Sequence, residues 1–126
     1  MVLLDTSVLV DALTGPRRAA PALRRAIQNG ERLLLPALVL YEWLRGPRSP
    51  ADLADQEALF PGAQSLAFSA EDAVIGARLY RSVKRPRGRE IDLAIAACAL
   101  NLDARLWTRN RADFADIPGL QLYSGA

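Results

Sequence analysis

The sequence contains no histidine. That absence excludes Ser-His-Asp and Cys-His nucleophilic chemistry, His-ligated zinc and imidazole acid–base catalysis. Cysteine occurs once, at Cys98, so no internal disulfide forms and a reducing compartment, the cytoplasm, is expected. Long apolar runs are also missing. The longest stretch, LLLPALVLYEWL, is too short to span a membrane and carries Pro36 and Glu42. The start of the sequence lacks the basic segment and long apolar core of a signal peptide. Any catalysis must therefore come from carboxylates, hydroxyls, arginines or a bound hard metal ion.

What is present is ordinary globular material, 51% hydrophobic and 24% charged over 126 residues. A chain of this length buries roughly two-thirds of its unfolded surface without staples, so residues 1–126 are expected to form a single domain. The net charge of +2 says little about partners. Its distribution says more, because Arg78, Arg81, Lys84, Arg85, Arg87 and Arg89 crowd into RLYRSVKRPRGRE. Such a cluster suits a phosphate backbone, and it equally suits the solvated C-terminus of a helix, where cations complement the dipole.

Apolar runs alternate with helical spacing along the chain. Strands are expected at Val2–Asp5, Arg32–Pro36, Gln64–Phe68, Ala104–Thr108 and Leu120–Tyr123. Helices are expected at Ser7–Leu13, Arg17–Asn29, Ala37–Arg45, Ala51–Phe60, Ser69–Lys84 and Glu90–Asn101, with a short helical turn at Arg111–Phe114. Pro36 cannot continue a central strand but can open a helix. Ser69 followed by Glu71 and Asp72 reads as an N-cap with acids in the first turn. Strands alternating with helices predict an α/β fold, a three-layer α/β/α sandwich around a parallel five-stranded sheet.

In such sheets ligands bind beyond the carboxyl ends of the strands. Four acids stand near that edge. Asp5 ends the first expected strand, and an N-cap of the next helix would explain it equally well. Glu42 is the only charge between Arg32 and Arg45, in a helix with little room for a polar face. Asp92 opens the most apolar helix, IDLAIAACAL, where dipole complementarity is the simpler explanation. Asp113 lies in TRNRADF, where a solvated loop acid is the simpler explanation. Together, four carboxylates in one pocket repel one another and call for a counter-charge. A divalent cation with oxygen ligands supplies it. Such an ion makes water nucleophilic and neutralises a phosphoryl transition state. Thr6, Ser7, Thr108 and Asn110 are placed to orient the acids or hold water around them.

The segments LLDTSVLVDAL, LPALVLYEWLRG, IDLAIAACAL and LWTRNRADFADIPGL, in this order, resemble the PIN domain, and within it the VapC toxins of type II toxin–antitoxin pairs. The resemblance spans nearly the whole chain. It implies a PIN-like fold and a cytoplasmic endoribonuclease dependent on Mg²⁺ or Mn²⁺, with no membrane association. It also implies homodimerisation and inhibition by a cognate antitoxin. The family's acids fall on Asp5, Glu42, Asp92 and, at the variable fourth position, Asp113. Its hydroxyl and amide positions fall on Thr6, Thr108 and Asn110. Asp5 and Asp92 are then expected to bind the principal ion, Glu42 to act through water, and Asp113 to complete the pocket for a second ion about 4 Å away. Arg85, Arg87, Arg89 and Arg109 are the expected RNA contacts.

Two departures and two rivals stand beside this expectation. Glu90 sits two residues before Asp92 where an uncharged residue is expected, so it should lie outside the ligand set, in a salt bridge with a nearby arginine. Asp116 competes with Asp113 for the fourth position. A haloacid-dehalogenase-like phosphatase needs a second Asp two residues after its nucleophile, where this chain has Ser7. The other rival is a non-catalytic PIN-fold RNA-binding or scaffold module. Trp43, Tyr41 and Leu44 fit either the core or a dimer face shared with Leu13. Cys98 reads as a small buried hydrophobe.

Overall fold

Val2, Leu3 and Leu4 form strand β1 (Val2–Leu4), and all three side chains are fully buried. Successive strand residues point to opposite faces, so both faces of the sheet are covered at its centre. The computed structural model describes residues 1–125. β1 pairs in parallel with β2 (Leu33–Leu34) on one side and β3 (Arg105–Trp107) on the other, giving the order β2-β1-β3. The register sets Val2 beside Leu33 and Arg105, and Leu4 beside Trp107.

The sheet differs from the expected five strands. Three strands form, and the segments predicted at Gln64–Phe68 and Leu120–Tyr123 each contribute one parallel bridge, Pro36 to Leu66 and Leu106 to Leu122. Around Leu66 the Ala37 N–H donates to the Leu66 carbonyl and the Leu66 N–H to the Leu35 carbonyl, both at 2.8 Å. Ala37 already opens a helix, so the chain leaves the sheet directly after Pro36. The chain before Leu66 is a short 3₁₀ turn, Gly62–Gln64, and Phe68 after it is turned to solvent. Leu122 follows the Pro118-Gly119 turn, and the Tyr123 N–H reaches the Leu106 carbonyl at 2.8 Å. Each outer segment thus lies in its expected place beside the sheet without a continuous ladder.

The helices are α1 (Thr6–Leu13), α2 (Ala20–Gln28), α3 (Ala37–Arg45), α4 (Pro50–Leu59), α5 (Ala70–Ser82) and α6 (Glu90–Leu102). α2 begins three residues later than predicted because Arg17 takes a left-handed conformation, φ +54°, that no helix continues through. α4 and α5 open on reciprocal capping boxes, Ser49 with Asp52 and Ser69 with Asp72. α6 is the central helix, with Leu93, Ile95, Ala96, Ala97, Cys98 and Ala99 buried. Its small side chains let α5 pack closely, since a Cβ on Gly76 would stand 3.6 Å from the Ala97 Cβ.

One buried acid lies away from the strand ends. Burial alone would raise the Asp72 carboxyl, but hydrogen bonds from the Ser69 backbone, Asn101 and the Ser69 hydroxyl hold it below the usual range. Beside it, burial pushes the Cys98 thiol up to about 12, with the Asp72 charge adding to the effect, so Cys98 is the inert core residue expected. Of the aromatic helix, Trp43 belongs to the core while Tyr41 and Leu44 are exposed. Among the described residues, no helix is long and apolar enough to cross a membrane.

Candidate functional site

The parallel strands bring their carboxyl ends to one edge. Asp5 follows β1 there and Thr108 follows β3. The Asp5 N–H donates to the Trp107 carbonyl at 2.8 Å, which fixes both residues relative to the sheet. Asp5 occupies the N-cap position of α1, yet its side chain makes no capping hydrogen bond. Its Oδ2 instead accepts from Thr108 Oγ1 at 2.7 Å and from Ser7 Oγ at 2.8 Å. A buried carboxylate at a helix start, held by two hydroxyls and not by the backbone N–H groups of the helix it precedes, is poised toward the space beyond the strands.

The hydroxyls are themselves anchored. The Arg109 N–H donates to Ser7 Oγ at 2.9 Å, and the Asn110 N–H donates to Thr108 Oγ1 at 3.0 Å. Glu42 enters from the middle of α3, and Thr6 Oγ1 donates to its Oε1 at 2.6 Å. Asp92 comes from the first turn of α6. Asp5, Glu42 and Asp92 line a single cleft of about 550 Å³, with Thr6, Ser7 and Asn110.

Asp92 feels its neighbours. Burial pushes its carboxyl up to about 6, and the charges of Asp5, Glu42 and Asp113 add to the shift, while Arg89 opposes it. Asp113 is thus coupled electrostatically to the group although it sits on the exposed 3₁₀ turn Arg111–Phe114 outside the cleft wall. Asp116 is held elsewhere. Arg89 grips it through two bonds of 2.6 and 3.0 Å and also donates to the Asp113 carbonyl at 2.9 Å. The Arg89 hydrogen bonds hold the Asp116 carboxyl below its usual range.

Among the described residues, no three carboxylate or thiol side chains close into a tight cage. The carboxylates line an open cleft and present hard oxygen donors only. This fits Mg²⁺ or Mn²⁺, because Mg²⁺ binds through one or two carboxylates and keeps several waters. The mutual repulsion registered at Asp92 is what such a cation relieves.

The basic residues fall out less uniformly. Arg109 lines the cleft, with its Nε 2.9 Å from Asp11. Arg85 and Arg87 are exposed on the loop between α5 and α6 and do not line it. Arg89 is committed to Asp116 and the Asp113 turn. Glu90 makes no ion pair among the described residues. Its carboxylate accepts from the Gly88 N–H at 2.7 and 3.2 Å, so the expected salt bridge is replaced by a local loop contact. Sequence reasoning missed Asp11 and Arg18, which also line the cleft. Asp11 lies one helical turn after Ser7 on the same face of α1, a spacing that was available.

A cleft of carboxylates at the carboxyl edge of a parallel sheet, with no imidazole or thiol in its wall, offers the hard oxygen donors that metal-dependent hydrolases use. The PIN domain family matches residues 2–120, and the chain belongs to that family. Ribonuclease VapC19 of Mycobacterium tuberculosis is 40% identical over 124 residues, covering 96% of this chain and 98% of the relative, which places the chain among the VapC-type ribonucleases. Solved structures share the fold. A DNA-bound VapBC from Salmonella typhimurium superposes with a TM-score of 0.82 at 21% identity, covering 99% of this chain and 98% of that one. A toxin–antitoxin complex from Klebsiella pneumoniae gives 0.75 at 25% identity, covering 100% and 98%.

Proposed function

We propose that this VapC-type ribonuclease hydrolyses phosphodiester bonds within RNA chains, using Mg²⁺ or Mn²⁺, as the toxin of a toxin–antitoxin pair. The observation that carries the reading is the convergence of Asp5, Glu42 and Asp92 from three separate elements onto one cleft. Asp5 and Asp92 would hold the ion. Bound there, it supplies a nucleophilic water and neutralises charge on the phosphoryl group.

The chain's own residues do the rest. Thr108 and Ser7 fix one oxygen of Asp5, which leaves the other free to face the cleft. Thr6 fixes Oε1 of Glu42, while Arg45 reaches Oε2 only at 3.5 Å, so Oε2 is the oxygen left to orient the attacking water. Asp113 adds negative charge at the rim and would serve a second ion. Asn110 lines the wall as a hydrogen-bonding partner for water or substrate. Arg109, with Arg85 and Arg87 farther out, contacts phosphates and positions the strand without reading its sequence. Arg89 contributes by holding the Asp113 turn against the start of α6.

The solved relatives of this fold are toxin–antitoxin complexes, which supports an antitoxin as the protein partner here. The exposed Tyr41 and Leu44 on α3 offer apolar surface for the second copy of a homodimer. The deciding experiment is cleavage of a mixed pool of structured RNAs with Mg²⁺, Mn²⁺ or chelator, by wild type and Asp5→Ala in parallel. Cutting by wild type alone, and only with metal, is the expected result. Equal cutting by both proteins overturns the assignment, and metal binding without any cutting leaves a scaffold.

A further inference from the structure

Beside the acidic cleft lies a second cavity, of about 510 Å³, with the opposite character. Arg18, Arg25, Arg109 and Arg111 line it, and among the described residues no carboxylate does. Arg18 and Arg109 belong to both walls, so the cavity opens directly off the cleft. Pro21, Ala22 and Arg25 share one face of α2, and Arg18 stands in the turn that leads into it. The opposite wall is the end of β3 and the segment around Tyr123.

Charge bookkeeping makes this cavity unusual. Arg109 is balanced by Asp11, but among the described residues Arg18, Arg25 and Arg111 have no carboxylate partner. Arg111 has only the Tyr123 carbonyl, at 3.3 Å. Guanidinium groups collected in one concavity repel one another and focus a positive potential into it. Their planar forks match phosphate oxygens, and a volume of this size accommodates a small ligand group.

We propose that this cavity is a subsite for the phosphate backbone of the RNA segment flanking the scissile bond. The inference rests on the ribonuclease reading and adds where the strand leaves the cleft. A polyanion crossing an acid-lined wall needs cations immediately beside it, and here they are grouped on one side, reached across Arg18 and Arg109. The contacts are to phosphate, so they hold the strand without selecting its sequence.

The test is binding of a fluorescein-labelled, mixed-sequence single-stranded RNA to the full chain, by anisotropy against KCl concentration with Ca²⁺ present, alongside Mg²⁺-dependent cleavage. The triple variant Arg18→Gln, Arg25→Gln, Arg111→Gln should lower the slope of log affinity against log salt by about two, at ~0.7 per phosphate contact on a single strand. Arg24→Gln removes a single positive charge from α2 outside the cavity and should leave the slope as it is, whereas Arg25→Gln alone should lower it by ~0.7. The triple Arg→Lys variant keeps the charge and should restore the slope, which separates phosphate binding from a folding defect. An unchanged slope in the triple Gln variant, with wild type still cutting, overturns the subsite and leaves the nuclease standing. If wild type neither binds nor cuts, both fall. Antitoxin binding lost while RNA binding persists assigns the cavity to the protein partner and equally overturns the proposal.

Discussion

Asp92→Asn should make the metal-free protein more stable while abolishing metal-dependent cleavage. Asp92 is pushed up to about 6 from 3.8, first by burial and then by Asp5, Glu42 and Asp113. A carboxyl raised in the folded state binds more protons there than in the unfolded chain, so its stability cost grows as pH rises through that interval. Near pH 4 the folded carboxyl is protonated and the unfolded one only about half ionised, so the cost is under about 1 kcal/mol. Above about pH 7 the full cost is present, about 3 kcal/mol at the usual free energy per pKa unit. Asparagine removes the charge but still buries a polar amide, so a net gain of about 2 kcal/mol is expected. For a domain of this size that is an upward shift of roughly 8 °C in Tm. The assay is thermal unfolding in chelator, wild type against variant, near pH 4 and near pH 8. The difference should be close to zero at the lower pH and full at the higher. Added Mg²⁺ should raise the wild-type Tm and leave the variant's where it was, because only the former binds the ion. A difference that stays the same at both pH values would refute the repulsion on which the metal-site reading rests.

Three further outcomes follow from the same geometry. Thr108→Ala leaves the buried Asp5 Oδ2 with Ser7 alone and should cost about 1–3 kcal/mol in urea denaturation, largely restored in Thr108→Ser. Asp116→Asn breaks an ion pair whose acid is half exposed, so it should cost under about 1 kcal/mol and leave cleavage near wild type, whereas Asp113→Asn should lower the cleavage rate; the reverse pattern would move the fourth acid to Asp116. Cys98, with its thiol pushed up to about 12 inside α6, should resist iodoacetamide near pH 8 in the native protein and react once urea unfolds it, as mass spectrometry would show.

The legible parts of the fold were those set by local pattern. The apolar run of β1, the Pro36 junction and the Ser69 cap each lie where their chemistry put them. The outer strands were over-read, because a short apolar run such as that in QSLAF says nothing of how far its neighbour stays in the sheet. Ala37 opens α3 directly after Pro36, so a single bridge remains. The start of α2 was misplaced because a left-handed Arg17 leaves no compositional trace. At the candidate site, the acids stood out as charges in apolar surroundings, and the structure gathers Asp5, Glu42 and Asp92 around one cleft. What holds the Asp5 carboxylate in place of a capping bond was only half legible. Ser7 is two residues on, but Thr108 is 103 residues away. Arg18 and Arg25 look like ordinary solvated arginines until the end of β3 is brought opposite them.

The placement of β1 between β2 and β3 also orders events during synthesis. β1 is the central strand, yet it cannot complete its pairing until residues 105–107 exist. Asp5 likewise waits for Thr108 before its carboxylate is fixed. Contacts this distant along the chain form late and slowly, since the intervening segment must be closed first. A growing chain therefore carries all of its early acids without an assembled cleft. For a VapC-type ribonuclease of this fold, the acidic cleft is not assembled until residues 105–108 have been made.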